Sequence, residues 1–230
     1  MGRRRFCHKL FGSHCIKSNL EQHIITHLLA VENCTAEDQA VVKILQSFTL
    51  TKTHKVNSGV FTIDLNGQCV ESYVNSAYML EINGVSVTIT DSSEGGMLFG
   101  NSGVDKWRSG ISATNSTLEI AGGTVDAYYC ITATNCNVII SGGTAAGGRH
   151  AVSATGGAVN VSGGTIDSDK YGVQTTDSEV TISGGYFNAV DTIGCSGGTL
   201  TVSDVTFHAN STNGDGVSIS NGCIATISGA

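Results

Sequence analysis

Residues 137–165, NVIISGGTAAGGRHAVSATGGAVNVSGGT, contain one phrase twice. An alternating apolar pair, Val138/Ile140 and then Val159/Val161, runs into Ser-Gly-Gly-Thr at 141–144 and again at 162–165. Working outward, Ala121-Gly122-Gly123-Thr124 stands 20 residues before the first copy, and Ser183-Gly184-Gly185-Tyr186 stands 21 residues after the second. Ser203-Asp204-Val205-Thr206 and Ser228-Gly229-Ala230 keep the phase, and Leu118/Ile120, Val180/Ile182 and Leu200/Val202 extend the series of pairs. About ten residues earlier in each unit lies a second alternating set: Ile111/Ala113, Ile131/Ala133, Val152/Ala154 and Val173/Thr175. A third apolar position follows the glycines at Val125, Ile166, Phe187 and Phe207, and the turn formers Asn115, Asn135, Gly156-Gly157 and Asp177 separate the first strand from the second. Period-two alternation marks strands with one buried face.

Each unit is therefore two clear strands and a weaker third in about 20 residues. One unit cannot bury its apolar face, whereas stacked units pair strand on strand at ~4.8 Å and enclose a continuous core. The expected fold is all-β, a parallel β-helix (β-solenoid) of about eight coils with 20–21 residues per regular coil. Composition agrees: 30 glycines, no proline, 40% hydrophobic and only 13% charged residues in 230. Proline lacks the N–H that a ladder needs, and glycine suits corners where φ is positive.

Upstream the phase continues in FTIDLNGQ (61–68) and VTITDSSEGG (87–96). Taking Leu65, Ile89, Ile120, Ile140, Val161, Ile182, Val202 and Ile227 as equivalent gives a 31-residue interval that holds an insertion at about 91–109. These two segments, with the ISGGT coils after them, resemble the right-handed, pectin-lyase-like β-helix repeats of bacterial surface and secreted proteins. The resemblance covers about 60–230 and implies right-handed winding. It carries adhesins, autotransporter passengers, tail spikes and polysaccharide-degrading enzymes alike, so function must come from a site.

Residues 1–55 differ and read as a helical N-terminal segment ahead of a β-helix spanning 56–230. Ser18-Asn19-Leu20-Glu21 reads as a capping box, followed by Leu20, Ile24, Leu28 and Val31 on one helical face. Thr35 offers a second N-cap, with Val41, Ile44, Leu45 and Phe48 at i, i+3, i+4, i+7. A helix over 36–48, with those four residues facing the core, is expected to cap the first coil, since solenoids need capped ends. Cys7, Cys15, His23 and His27 are the candidate metal ligands, but their spacing fits no common zinc finger, and solvated histidines are the plainer reading. No cofactor is expected.

A formal charge of −7 and no basic patch interleaved with aromatics argue against nucleic acid as a partner. No apolar run approaches the ~18 residues of a membrane span. Met1 to Arg5 is basic, but Phe6, Cys7, His8 and Lys9 stand where a signal peptide needs an apolar run. The eight cysteines show no CxxC and read as free thiols.

Enzymes on the resembled fold act through acidic clusters with calcium or with Arg/Lys bases. No Asp-Asp, Gly-His-Gly or Arg-x-Lys motif occurs here. The acidic column along the third strand, Asp126, Ala146, Asp167, Asn188 and His208, offers Asp126, Asp167 and His208 as candidate catalytic residues. Two carboxylates two coils apart lie ~9–10 Å from each other, at the wide end of the ~6.5–9.5 Å of inverting glycosidases; a solvated, charge-spaced edge is the plainer reading. Trp107 and Arg108 in the insertion, with Arg149 and His150, are candidate ligand-binding residues, because an aromatic face beside a cation suits a sugar. Outward positions of the first strand, Ser112/Thr114, Thr132/Thr134, Ser153/Thr155 and Gln174/Thr176, form two hydroxyl ladders that the next coil breaks with Asp191/Ile193. Such ladders suit an ice or crystal surface, or simply hold coils in register.

The expectation is a non-enzymatic solenoid from a bacterial surface or secreted protein, an adhesin, stalk or glycan-binding scaffold. Its partner would be a glycan or a host or cell surface, and its location extracellular or on the cell surface. The alternatives are a polysaccharide lyase or hydrolase and an ice binder. The chain reads as a fragment of a longer exported protein, whose open C-terminal coil invites self-association through unpaired strand edges.

Overall fold

The computed structural model describes residues 39–74, 78–100, 109–205, 207–209 and 213–229. Its strands form a parallel β-solenoid of about eight turns, and every strand pairs with its counterpart one turn away. The second strand of the repeat stacks as Gln39–Lys43, Val60–Asp64, Ser86–Thr90 and Thr117–Ile120, then the C-terminal ends of Thr124–Ile140 and Thr144–Val161, then Glu179–Ile182, Thr199–Ser203 and Ile224–Ser228. The third strands (Phe48–Leu50, Cys69–Ser72 and Met97–Gly100 onward) and the first strands (His54–Val56, Tyr78–Asn83 and Ser109–Thr114 onward) make two further columns. Inward residues of the three columns form one core. Ile63, Ile89, Ile120, Ile140, Val161, Ile182 and Val202 align in register and are buried, each side chain contributing about 1.5–3 kcal/mol of transfer free energy.

The corner between first and second strands repeats one feature from Gly84 onward. Gly84, Asn115, Asn135, Gly156, Asp177, Gly197 and Asn221 succeed one another there with φ between 48° and 72°. Only glycine, Asn or Asp occupies this left-handed position, as its sterics require. In the next place, the Ser116 and Ser178 hydroxyls donate to the carbonyls of Thr114 and Thr176, and the Cys136 thiol does the same for Thr134. Cys136 is thus a buried stand-in for serine.

Four expectations are corrected. Ile63, not Leu65, is the counterpart of Ile89; alternation continues through Leu65, so the pattern could not distinguish a two-residue slip. The helix expected over 36–48 is absent from its described part: Gln39–Lys43 is a strand paired to Val60–Asp64. Val41 and Leu45 are 48% and 68% exposed rather than facing the core, while Val42 packs against it. Among the described residues the strand pairing begins at Gln39. The insertion at 91–109 contains a regular third strand, Met97–Gly100, paired to Cys69–Ser72. Finally, Cys195 and Cys223 form a disulfide that ties the last coil to the one before it, whereas Cys69, Cys130 and Cys136 are free. The expected helix at 18–31 and the candidate ligands Cys7, Cys15, His23 and His27 lie outside the described residues.

Candidate functional site

The corner from third to first strand is where coil length varies. Between strands it holds five residues at 73–77, eight at 101–108, one at Tyr128, two at Gly148-Arg149, two at Asp169-Lys170, one at Val190 and seven at 210–216. The difference between 20- and 21-residue coils arises here, because all other segments of those coils match. In the two longer coils the added residue brings a cation to this corner, Arg149 in one and Lys170 in the next. Corner irregularities of this kind re-aim side chains and recur beside functional sites, and insertions in solenoids map to binding faces.

Immediately after the corner, Tyr129, His150 and Tyr171 stand in register on successive coils. Their rings stack along the solenoid axis, Tyr129 to His150 at 5.5 Å and His150 to Tyr171 at 4.8 Å between centroids. Tyr128 meets Tyr129 edge-on at 5.0 Å, over Gly148, where a Cβ would lie 3.0 Å from the Tyr128 ring. The Arg149 guanidinium lies 6.0 Å from the Tyr129 ring centre and the Lys170 ammonium 4.7 Å from that of Tyr171, within cation–π range. Neither cation is in an ion pair with a described residue; those pairs are Lys43–Asp64 and Lys55–Glu81. Arg149 Nε and His150 Nδ1 are buried and have no hydrogen-bond partner among the described residues. Burial, then the charges of Arg149 and Lys170, hold the His150 pKa below its ordinary value.

Carboxylates flank the rings. Asp126, Ala146, Asp167, Asn188 and His208 align in register as expected. Asn188 Nδ2 donates to Asp167 Oδ1 at 2.8 Å. Burial, then Asp167 and Asp169, push the Asp126 pKa up. His208 is exposed and pairs its ring with Tyr186 at 4.8 Å, so the structure gives it a different neighbour from the two aspartates. Asp167 and Asp169 thus act on Asp126, as Arg149 and Lys170 act on His150.

Arg149 and His150, two of the four expected ligand-binding residues, fall together at this corner. Trp107 and Arg108 lie outside the described residues; Ser109, directly after them, is in register with Tyr129. Tyr129, Tyr171 and Lys170 were not singled out from the sequence, although the 21-residue spacing of Tyr129, His150 and Tyr171 announces the column.

The hydroxyl face differs from expectation in one respect. Thr176 is followed in register by Ser196 and Ser220, and Ile193 is the buried counterpart of Val173. One ladder therefore runs unbroken through Thr114, Thr134, Thr155, Thr176, Ser196 and Ser220, while Ser112, Thr132 and Ser153 give way to Gln174 and Gly194.

No protein-family model, curated protein or solved structure matches the chain. No described helix is long and apolar enough to cross a membrane, and no described group of three or more His, Cys, Asp or Glu is placed to hold a metal ion.

Proposed function

We propose that this chain is a non-enzymatic, right-handed, pectin-lyase-like β-helix from a bacterial surface or secreted protein, and that it binds glycan as an adhesin or scaffold. Right-handed winding follows the strong preference of parallel crossovers. The observation that carries the binding reading is the coincidence at one corner of variable loop length, the Tyr129–His150–Tyr171 ladder and the cations Arg149 and Lys170 outside any described ion pair. Ring faces in the ladder are occupied by one another, so a sugar would meet ring edges, phenol hydroxyls and the two cations. Cys195–Cys223 supports an extracellular location, because disulfides persist in oxidising compartments. A glycan array tests the reading. Binding without product release, weakened in Arg149→Ala and His150→Ala, is expected; equal binding by wild type and both variants would remove the corner as the site.

Two further readings each have an observation behind them. The raised pKa of Asp126, with Asp167 two coils away, favours polysaccharide hydrolysis; reducing-end release that Asp126→Asn abolishes would establish it. The unbroken Thr114–Ser220 hydroxyl ladder favours an ice or crystal surface as ligand, and unaltered ice growth in the protein's presence would end that reading.

A further inference from the structure

At the corner between first and second strands, over the N-terminal half of the solenoid, an open groove of about 580 Å³ is lined by residues of four successive coils. That volume falls within the ~300–1,000 Å³ of small-ligand sites. We propose that this groove is a separate binding site for a neutral oligosaccharide. The proposal rests on reading the solenoid as a glycan-binding scaffold, and it adds a site and a ligand class which that reading does not contain.

The groove offers hydrogen-bonding capacity without charge. Asn115 and Asn135 bring carboxamides to the groove, and Ser86 and Thr117 bring hydroxyls. Among the described residues none of these four side chains has a hydrogen-bond partner. Asn137 accepts from Asn160 Nδ2 through its Oδ1 at 3.0 Å, which leaves its own NH₂ as a donor. Space comes from Gly84, which occupies the left-handed corner position one coil before Asn115 and whose missing Cβ would meet nothing within 4 Å. No ionisable side chain lines the groove. Carboxamides and hydroxyls offer donors and acceptors together, as the vicinal hydroxyls of a sugar do, whereas a charged ligand would find no counter-charge. The groove runs along the solenoid axis, so a linear chain would lie across coils spaced ~4.8 Å apart.

The repeat itself supplies a variant that keeps the backbone. Gly156 and Gly197 occupy the same column as Asn115 and Asn135, so Asn115→Gly/Asn135→Gly removes both carboxamides at a position that already accepts glycine. The experiment is an NMR titration of ¹⁵N-labelled full chain with neutral linear oligomers of β-glucan, xylan, mannan and chitin. Saturable shifts are expected at Gly84, Ser86 and Thr117 with at least one of these oligomers. The double variant should bind it about tenfold more weakly, as the loss of two net hydrogen bonds implies. Affinity should not change between low and high salt or in Arg149→Ala. Shifts confined to Tyr129, His150 and Tyr171, with a silent groove, would overturn this site and leave the scaffold reading standing. Full affinity in the double variant would also overturn it. No response at either corner to any glycan would overturn both.

Discussion

Single glycine positions in the Ser-Gly-Gly-Thr corners have two distinct physical origins. The second glycine of each pair takes positive φ, as at Gly143 (62°). The first is needed for room: a Cβ on Gly142 would lie 2.4 Å from the Ala121 carbonyl oxygen of the previous coil. Gly142→Ala should therefore lower stability by about 1–3 kcal/mol through overpacking, whereas Asn135→Ala should cost about 1 kcal/mol from left-handed strain. Asn135→Gly should be nearly neutral. Denaturant midpoints of the three variants check the order. Two aspartates titrate in opposite senses. At Asp64, burial is the largest single influence and pushes the pKa up, but hydrogen bonds from the Ser92 amide and hydroxyl and the Asn66 amide, with the Lys43 charge, outweigh it and the net shift is downward. Its stabilising contribution is then present above the unfolded value near 3.8 and is lost as pH falls through the folded value. At Asp126 the folded pKa is raised, so stability falls as pH rises from about 3.8 through that value. Asp126→Asn should consequently be more stable than wild type at neutral pH, with the gain vanishing in acid, and Asp64→Asn should be less stable at neutral pH. Thermal melts across pH check both signs. At this scale the apolar pairs and turn residues were legible because each obeys a local rule. The Tyr129–His150–Tyr171 ladder is visible only as a 21-residue spacing of rings, since its members obey no local rule and become neighbours when coils stack.

At the scale of the element, long-range pairing overrules local periodicity. Val41, Ile44, Leu45 and Phe48 satisfy a helical spacing, yet Gln39–Lys43 is a strand. Its ladder with Val60–Asp64 supplies backbone hydrogen bonds and buries Phe61 and Ile63, and propensity is a weak prior against such context. The slip at Leu65 has the same root, since a two-residue shift preserves every inward position. The disulfide was illegible for another reason: its cysteines are 28 residues apart with no motif between them, and stacking brings them together. It stabilises a coil whose side chains are mostly exposed, with Ile219, Ile224 and Ile227 at 46%, 71% and 48%. Closing a loop of that length is worth about 3–4 kcal/mol in the chain-entropy account. Cys195→Ser/Cys223→Ser, or reduction, should release that stability locally. Limited proteolysis should then cut within 213–229 while the preceding coils stay intact, and an unchanged digest would refute the assignment.

For the molecule as a whole, stability is a chain of nearest-neighbour terms rather than one cooperative unit. Central coils have a neighbour on each side and a core of fully buried aliphatic residues, and the described terminal coils carry the exposed ones. Hydrogen exchange should be slowest at Ile131, Val152 and Val173 and fastest at Val217 and Ile224, with a graded change between; uniform protection would contradict a stacked architecture. Register was legible over 111–205 because the repeat is regular there, and it weakened upstream where coils lengthen. The third-to-first corner adds a practical property. It holds between one and eight residues while the strands on either side stay in register. A foreign peptide spliced between Gly148 and Arg149 would enter a join that already varies among coils, and the core beneath need not repack. The solenoid is in that sense a display frame, with ports spaced at the ~4.8 Å step of its own backbone.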